Sequence, residues 1–407
     1  MRVGIGFQNI GNARESGILC AEAALLDGKI DRPDLVIAFC SGLVVAEGFF
    51  EGLQSVLGAQ TPIIGGSAIG IITQTDLSYE GHPAGIAILQ SDTLHCSYKA
   101  VNELDKNELE AGKSLANLLS RRPDDKMLLM FYDSVKTPAT ENSPPVLNAS
   151  PPLIRGIESG LGGDIPVIGA GLLGDFAFGR THQFCGTHVD NQSVVGAILG
   201  GEIEPYYQIM HGCTLMDGVY HTITRMEGDT IYELDNQPIV EIIDAMYGNQ
   251  DWQKQMPVNR LAIGVNMGEK YSSFKEAQYV NRLIAGVLPD RDGIVIFEPD
   301  LENGMEVQFM LRDANEIIKS TRRNTSEIMD RIKTDGRRPL FGLYIDCAGR
   351  NALSSETLTE EATEVMSVFK SQNTPLLGFY SGVEVAPFLG KSRGLDWTGV
   401  LVVIAGE

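Results

Sequence analysis

Pro62-Ile63-Ile64-Gly65-Gly66-Ser67, Pro166-Val167-Ile168-Gly169-Ala170-Gly171 and Pro375-Leu376-Leu377-Gly378-Phe379-Tyr380 follow one pattern: a Pro, two aliphatics and a Gly. About two dozen residues after each comes a second apolar run containing Gly: Gly85-Ile86-Ala87-Ile88-Leu89, Gly196-Ala197-Ile198-Leu199 and Gly399-Val400-Leu401-Val402. Short apolar runs bounded by Pro and Gly read as buried strands. Ahead of each pair lie a strand, a stretch of helical spacing, a further apolar run and a second helical stretch. Around Pro62 these are Arg2–Phe7, Ser16–Leu26, Leu35–Cys40 and Glu47–Leu57. Around Pro166 they are His95–Val101, Asn107–Ser120, Met127–Tyr132 and Pro152–Gly160. Around Pro375 they are Glu306–Leu311, Ala314–Lys333, Leu340–Ile345 and Thr359–Ser371.

The pattern predicts a mixed α/β protein of tandem β-α-β-α-β-β units, with mixed sheets and helices packed outside. It also suggests duplicated units that bring three Gly-rich corners around a shared hollow. Residues 203 to 300 diverge. They predict a hairpin (Val219–Met226, Thr230–Leu234), a helix Pro238–Tyr247, and a degraded copy of the loop and closing strand in Leu261–Gly264 and Gly293–Phe297. The expected division is into residues 1–212, with two units, and 213–407, with the hairpin, the divergent unit and a third unit. Lys136–Pro151 and Lys391–Trp397 read as long surface loops.

Lys and Arg number 32 against 53 Asp and Glu, a formal net charge of −21. Such a field repels phosphate backbones and anionic lipid, so nucleic acid and membrane-surface partners are not expected. No apolar stretch reaches the roughly 18 residues needed to span a bilayer. Six scattered cysteines without a C-x-x-C pair suit reduced thiols of a cytoplasmic protein.

Gly169-Ala170-Gly171-Leu172-Leu173-Gly174 matches G-x-G-x-x-G, yet no helix signal follows it, and a dinucleotide site needs a helix N-terminus there. A tight turn is expected, and no cofactor. His182, Cys185 and His188 are spaced by three along a strand and turn, which does not keep them on one face, so no metal site is expected either. The ends of the central strands, Cys40-Ser41, Asp133-Ser134 and Asp346-Cys347, are the better lead, because ligands of open α/β sheets collect beyond carboxyl ends. Arg350 suits a carboxylate and Glu384 and Asp346 an ammonium, with Phe379 or Tyr380 as a wall. Cys347 has no histidine nearby in sequence to activate it, so no catalytic residue is assigned.

These stretches resemble the FIST family of sensory domains. An N-terminal module looks matched by Pro62–Ser67, Gly169–Asp175 and Val194–Gly201. A C-terminal module looks matched by Glu227–Asp235, Asn281–Gly286, Cys347–Arg350, and Gly378–Tyr380 with Glu384. The sequence departs from the family pattern at Gly382-Val383-Glu384, which has an insertion, and at Leu395-Asp396-Trp397-Thr398, which replaces an Asn-containing stretch. The resemblance implies a cytoplasmic signal-transduction module that binds a small molecule such as an amino acid and passes its output to a separate protein partner. The expected ligand-binding residues are Arg350, Glu384, Asp346, Cys347, Arg282, Tyr380, Gly378, Gly65, Ser67, Gly169 and Gly171. The alternative is a Cys- or Ser-dependent hydrolase or transferase using Cys347, Cys40 or Ser41.

Overall fold

A computed structural model describes residues 1–138, 145–162 and 165–407. Three six-stranded sheets share one strand order. The first runs Arg2–Asn9, Pro83–Gln90, Leu35–Ser41, Ile63–Ala68, then the hairpin Gln183–Cys185/His188–Asp190. The second runs His95–Val101, Val194–Gly200, Asp125–Asp133, Val167–Leu172, then the hairpin Val383–Phe388/Lys391–Leu395. The third runs Glu204–Met210, Gly399–Gly406, Arg338–Cys347, Leu376–Ser381, then the hairpin Ile71–Thr73/Leu77–Ser78. In each sheet the third and fourth strands are parallel and the remaining pairs antiparallel.

Each hairpin follows the fourth strand of one sheet in sequence but pairs with the fourth strand of another. The second donates to the first, the third to the second and the first to the third. This cyclic exchange leaves no sheet able to form from contiguous chain. It explains the missing helix after Gly174: the chain turns instead into the strand that closes a neighbouring sheet.

The inner faces of the three sheets form one core. Phe39, Phe131 and Phe379, one from each sheet, meet at ring-centroid separations of 5.2, 3.9 and 5.9 Å. The outer faces are covered by helix pairs: Ala13–Gly28 with Ala46–Leu57, Glu108–Leu118 with Ser150–Leu161, and Ala314–Thr334 with Ala362–Ser371. Gly65 is required where its strand lies parallel beside Leu35–Ser41. Its φ is +146°, and a Cβ there would stand 1.9 Å from the Ala38 carbonyl oxygen.

Between Met210 and Asp313 the chain leaves the third sheet and builds an eight-stranded antiparallel sheet with its own core. The expected hairpin lies there as His221–Glu227 and Thr230–Leu234, with the helix Ile239–Tyr247 after it. Three expectations are corrected. Glu306–Arg312 belongs to this inserted sheet, where it pairs with Leu261–Asn266, and the edge of the third sheet is Glu204–Met210. Both runs have strand character, and local pattern carries no information about which sheet takes them. Leu261–Asn266 and Ile294–Ile296 pair only antiparallel, so they do not copy the parallel unit. Lys391–Trp397 is no surface loop: Lys391–Leu395 is a strand, and Leu395, Asp396 and Trp397 are buried. Part of the other expected loop, 139–144, lies outside the described residues. Among its described residues Val135–Thr137 pairs with Val146–Leu147.

Candidate functional site

The parallel strand pairs end close together. The Gly42 amide donates to the Gly174 carbonyl (2.8 Å), that of Gly382 to Gly171 (2.9 Å), and that of Ile69 to Tyr380 (3.3 Å). The Gly corners therefore touch through backbone. What they frame is a buried polar hub built mainly by the third sheet.

Arg350 sits at its centre, wholly buried. Its Nε donates to Asp346 (3.2 Å) and Glu361 (2.8 Å), and its Nη1 to the carbonyls of His211 and Trp397 (2.9 Å each). Nη2 reaches Glu361 and Thr321. The guanidinium is thus spent within the protein, and its ion pairs hold it charged against burial. Glu361 also accepts from the Tyr344 hydroxyl at 2.9 Å. Arg282, also buried, is clamped by Asp300 through Nε and Nη2 and donates to the carbonyls of Asn281 and Gly394. Asp396 lies 4.0 Å away and links it to the hub.

The carboxyls outnumber these cations. Burial, then the neighbouring Glu361, pushes Asp346 well above the usual range, and burial does the same to Glu384. Burial raises Asp396 to about 6; burial and Asp396 together raise Glu298 to about 8. Several of these groups therefore keep a proton near neutrality. Ser381 Oγ stands 2.8 Å from Glu384 Oε1 and 3.0 Å from the Asp346 carbonyl.

Among the described residues, the buried polar atoms of this region without a hydrogen-bond partner include Glu384 Oε2, Asp346 Oδ2, Asp396 Oδ1, Tyr132 Oη, Ser134 Oγ, Trp397 Nε1 and both side-chain polar atoms of Asn281. Such atoms are costly unless something satisfies them. Space is cleared for Tyr132 and Ser134 by Gly171, whose Cβ would stand 2.3 Å from Ser134 Oγ and 2.7 Å from Tyr132 Oη. The Tyr132 hydroxyl lies within electrostatic reach of Glu298, Glu384 and Asp396, and burial raises it well above its usual value.

The structure brings together Arg350, Asp346, Cys347 and Glu384, with Gly171 alongside and Arg282 joined through Asp396. Tyr380 points its hydroxyl to Glu360 (3.0 Å) at the hub's edge. Gly378 and Gly169 are mid-strand, opposite Tyr344 and Val385. Gly65 and Ser67 stand apart in the first sheet, where the Ser67 hydroxyl accepts from the His182 amide (2.9 Å). Cys347 is buried, and burial with Glu384 beside it lifts its thiol well above the usual range. The described residues hold no group of three His, Cys, Asp or Glu placed for a metal. Sequence reasoning did not assign Tyr132, Ser134, Glu361, Glu298 or Asp396 to the site. Ser134 and Asp396 were visible, at a strand end and at a departure from the family pattern.

The architecture is that of a mixed α/β domain pair with a buried polar centre. Residues 34–237 match the FIST N domain and residues 240–387 the FIST C domain, and the chain belongs to the FIST family. The chain is 21% identical over 258 residues to an uncharacterized protein of Methanocaldococcus jannaschii, covering 60% of this chain and 46% of that one. It thus spans about half the length of that relative. Cyanuric acid hydrolase from A. caulinodans aligns over 100% of this chain and 99% of its own at 10% identity, with a TM-score of 0.38. PurLQS from Thermotoga maritima aligns over 100% and 72% at 8% identity, with a TM-score of 0.23. Among the described residues no helix is long and apolar enough to cross a membrane.

Proposed function

We propose that this protein senses a small amine-bearing polar metabolite, an amino acid being the leading class, in the cytoplasm, and signals through a separate protein partner. The reading rests on the orphaned acceptors of the hub. Among the described residues Glu384 Oε2, Asp346 Oδ2 and Asp396 Oδ1 are buried acid oxygens without a hydrogen-bond partner. A ligand ammonium brings donors and a positive charge, the two things that six carboxyls (Asp346, Glu361, Glu384, Asp396, Glu298 and Asp300) around two guanidiniums lack. It would displace the protons that burial holds on Asp346 and Glu384, so binding should release protons. Arg350 and Arg282 serve here as the frame that fixes the carboxyls, with their donors already committed. The three like-ordered sheets are read as copies of one duplicated unit; residues 1–212 and 213–407 share ladders across their boundary, so the part whose placement the ligand shifts is the inserted sheet between Met210 and Asp313. Such a shift needs different ligand affinity in the two arrangements.

The test is a thermal-shift screen of amino acids and small amines on wild type and Glu384→Gln, which keeps shape and removes the ionisable group. A ligand at 100 times its Kd stabilises by about 2.7 kcal/mol. Glu384→Gln should abolish the shift, and calorimetry in buffers of different ionisation enthalpy should report protons released. Unchanged affinity in both Glu384→Gln and Asp346→Asn would end this reading.

A further inference from the structure

A cavity of about 590 Å³ lies outside the hub, between the inserted sheet and the start of helix Ala314–Thr334. Its wall holds three cations and three carboxylates. Arg260 pairs with Glu356 at 2.5 Å and Lys319 with Glu316 at 2.7 Å. Asp313 Oδ1 is spent as the helix cap, accepting from the amides of Asn315 (2.9 Å) and Glu316 (3.1 Å). Arg312 is what remains. It is only 8% exposed, and no carboxylate of the described residues lies within ion-pair distance. Three neutral acceptors hold it: the Asn259 carbonyl (2.6 Å), the Gly349 carbonyl (3.3 Å) and Ser355 Oγ (3.4 Å). Among the described residues its buried Nε–H finds no acceptor, and the guanidinium lies 3.5 Å from the centroid of the Trp397 ring. A buried cation without a counter-charge is costly, and its place beside a cavity at a helix N-terminus favours an anion as the missing partner.

The rest of the wall narrows the anion. Leu311 is 38% exposed and lines the same space, while Thr214, Ser354 and Ser355 offer hydroxyls. The fixed negative charge of Asp313 at the helix start opposes a dianion. We propose that this cavity binds a small monocarboxylate with a short apolar stem, its carboxylate neutralising Arg312 and its stem lying on Leu311.

The full-length protein is titrated with propionate at constant ionic strength, with inorganic phosphate and methylammonium as contrasts, by calorimetry and thermal shift. Propionate should bind saturably. Arg312→Gln should weaken it roughly tenfold or more, the loss expected when a charge-assisted hydrogen bond goes. Because Arg312→Gln also alters buried packing, Leu311→Glu is the second variant: it alters a partly exposed side chain and supplies a resident carboxylate, so it should abolish propionate binding in a folded protein. Glu384→Gln should still bind propionate saturably, which separates this site from the hub. No saturable propionate binding to wild type, phosphate bound as tightly as propionate, or propionate bound equally by Leu311→Glu would each overturn the proposal.

Discussion

Replacing Glu276 with Gln should loosen the joint between the inserted sheet and the body, in a way pH can dissect. The Glu276 carboxylate accepts from the amides of His211 (2.7 Å) and Gly212 (2.8 Å), where the chain leaves the third sheet. It also accepts from Ser320 Oγ (2.6 Å), Asn324 Nδ2 (3.3 Å) and Arg323 on helix Ala314–Thr334. Burial alone would raise this carboxyl, but its surroundings outweigh burial and hold it at about 2 instead of the ordinary 4.5. The His211 ring is the largest lowering influence, followed by hydrogen bonds from Ser320 Oγ and the amides of Gly212 and His211. Burial pulls His211 below its usual value while the Glu276 carboxylate pulls it back up, so each group supports the other's charge. Arg323 adds a direct ion pair to the same carboxylate. The difference between 4.5 and about 2 corresponds to roughly 3 kcal/mol favouring the ionised folded form. A depressed carboxyl stabilises fully above its ordinary value, and the contribution is lost as pH falls toward 2. Urea denaturation followed by circular dichroism at pH 3 to 7 should therefore show Glu276→Gln weaker by about 3 kcal/mol at pH 7, with the gap closing as pH falls. A gap that stays constant with pH, or no gap at pH 7, would refute the assignment of the carboxylate as the clamp.

Two further outcomes follow from the fold. Gly65→Ala should abolish soluble folded protein or cost more than about 3 kcal/mol, because strained backbone and a Cβ 1.9 Å from the Ala38 oxygen add together; a wild-type melting temperature would contradict this close approach of the paired strands. Native protein at pH 7 should resist thiol-selective alkylation, since five of the six cysteines are buried and burial raises every thiol. Rapid labelling of Cys347 alone would instead favour the nucleophile reading.

The strands and helices of the three units were legible because each is a short apolar run between Pro and Gly, or a stretch of helical spacing with caps such as Asn107 and Asp313. The exchange of hairpins was not. Gln183–Cys185 has no local feature that selects Ile63–Ala68 over the sheet it follows, since strand pairing across more than a hundred residues is set by the assembled core. The same limit misplaced Glu306–Arg312. At the hub the polar residues at strand ends were visible, but their mutual neutralisation was not. Arg350 alone reads as a free carboxylate receptor. Only the fold shows Glu361, fifteen residues before the Pro375 strand and apparently part of a helix start, folded back onto it.

The inserted sheet crosses to the body twice, at His211–Cys213 and at Arg312–Asp313, and both crossings are held by the hub's own residues. Arg350 donates to the His211 carbonyl and, through the same nitrogen, to that of Trp397. Trp397 in turn presents its ring to Arg312. A ligand that redistributes protons between Asp346 and Glu384 changes the charge around Arg350, and Arg350 is bonded to one crossing directly and to the other through one residue. An anion on Arg312 acts on the same chain of contacts from the opposite side. By linkage, the factor by which an amine at the hub changes carboxylate affinity at the cavity must equal the reciprocal factor. Measuring propionate affinity with and without a saturating hub ligand, and the converse, therefore asks whether the two crossings move as one joint. Equal coupling factors different from one require it, and factors of one would leave the hub and the cavity as independent sites.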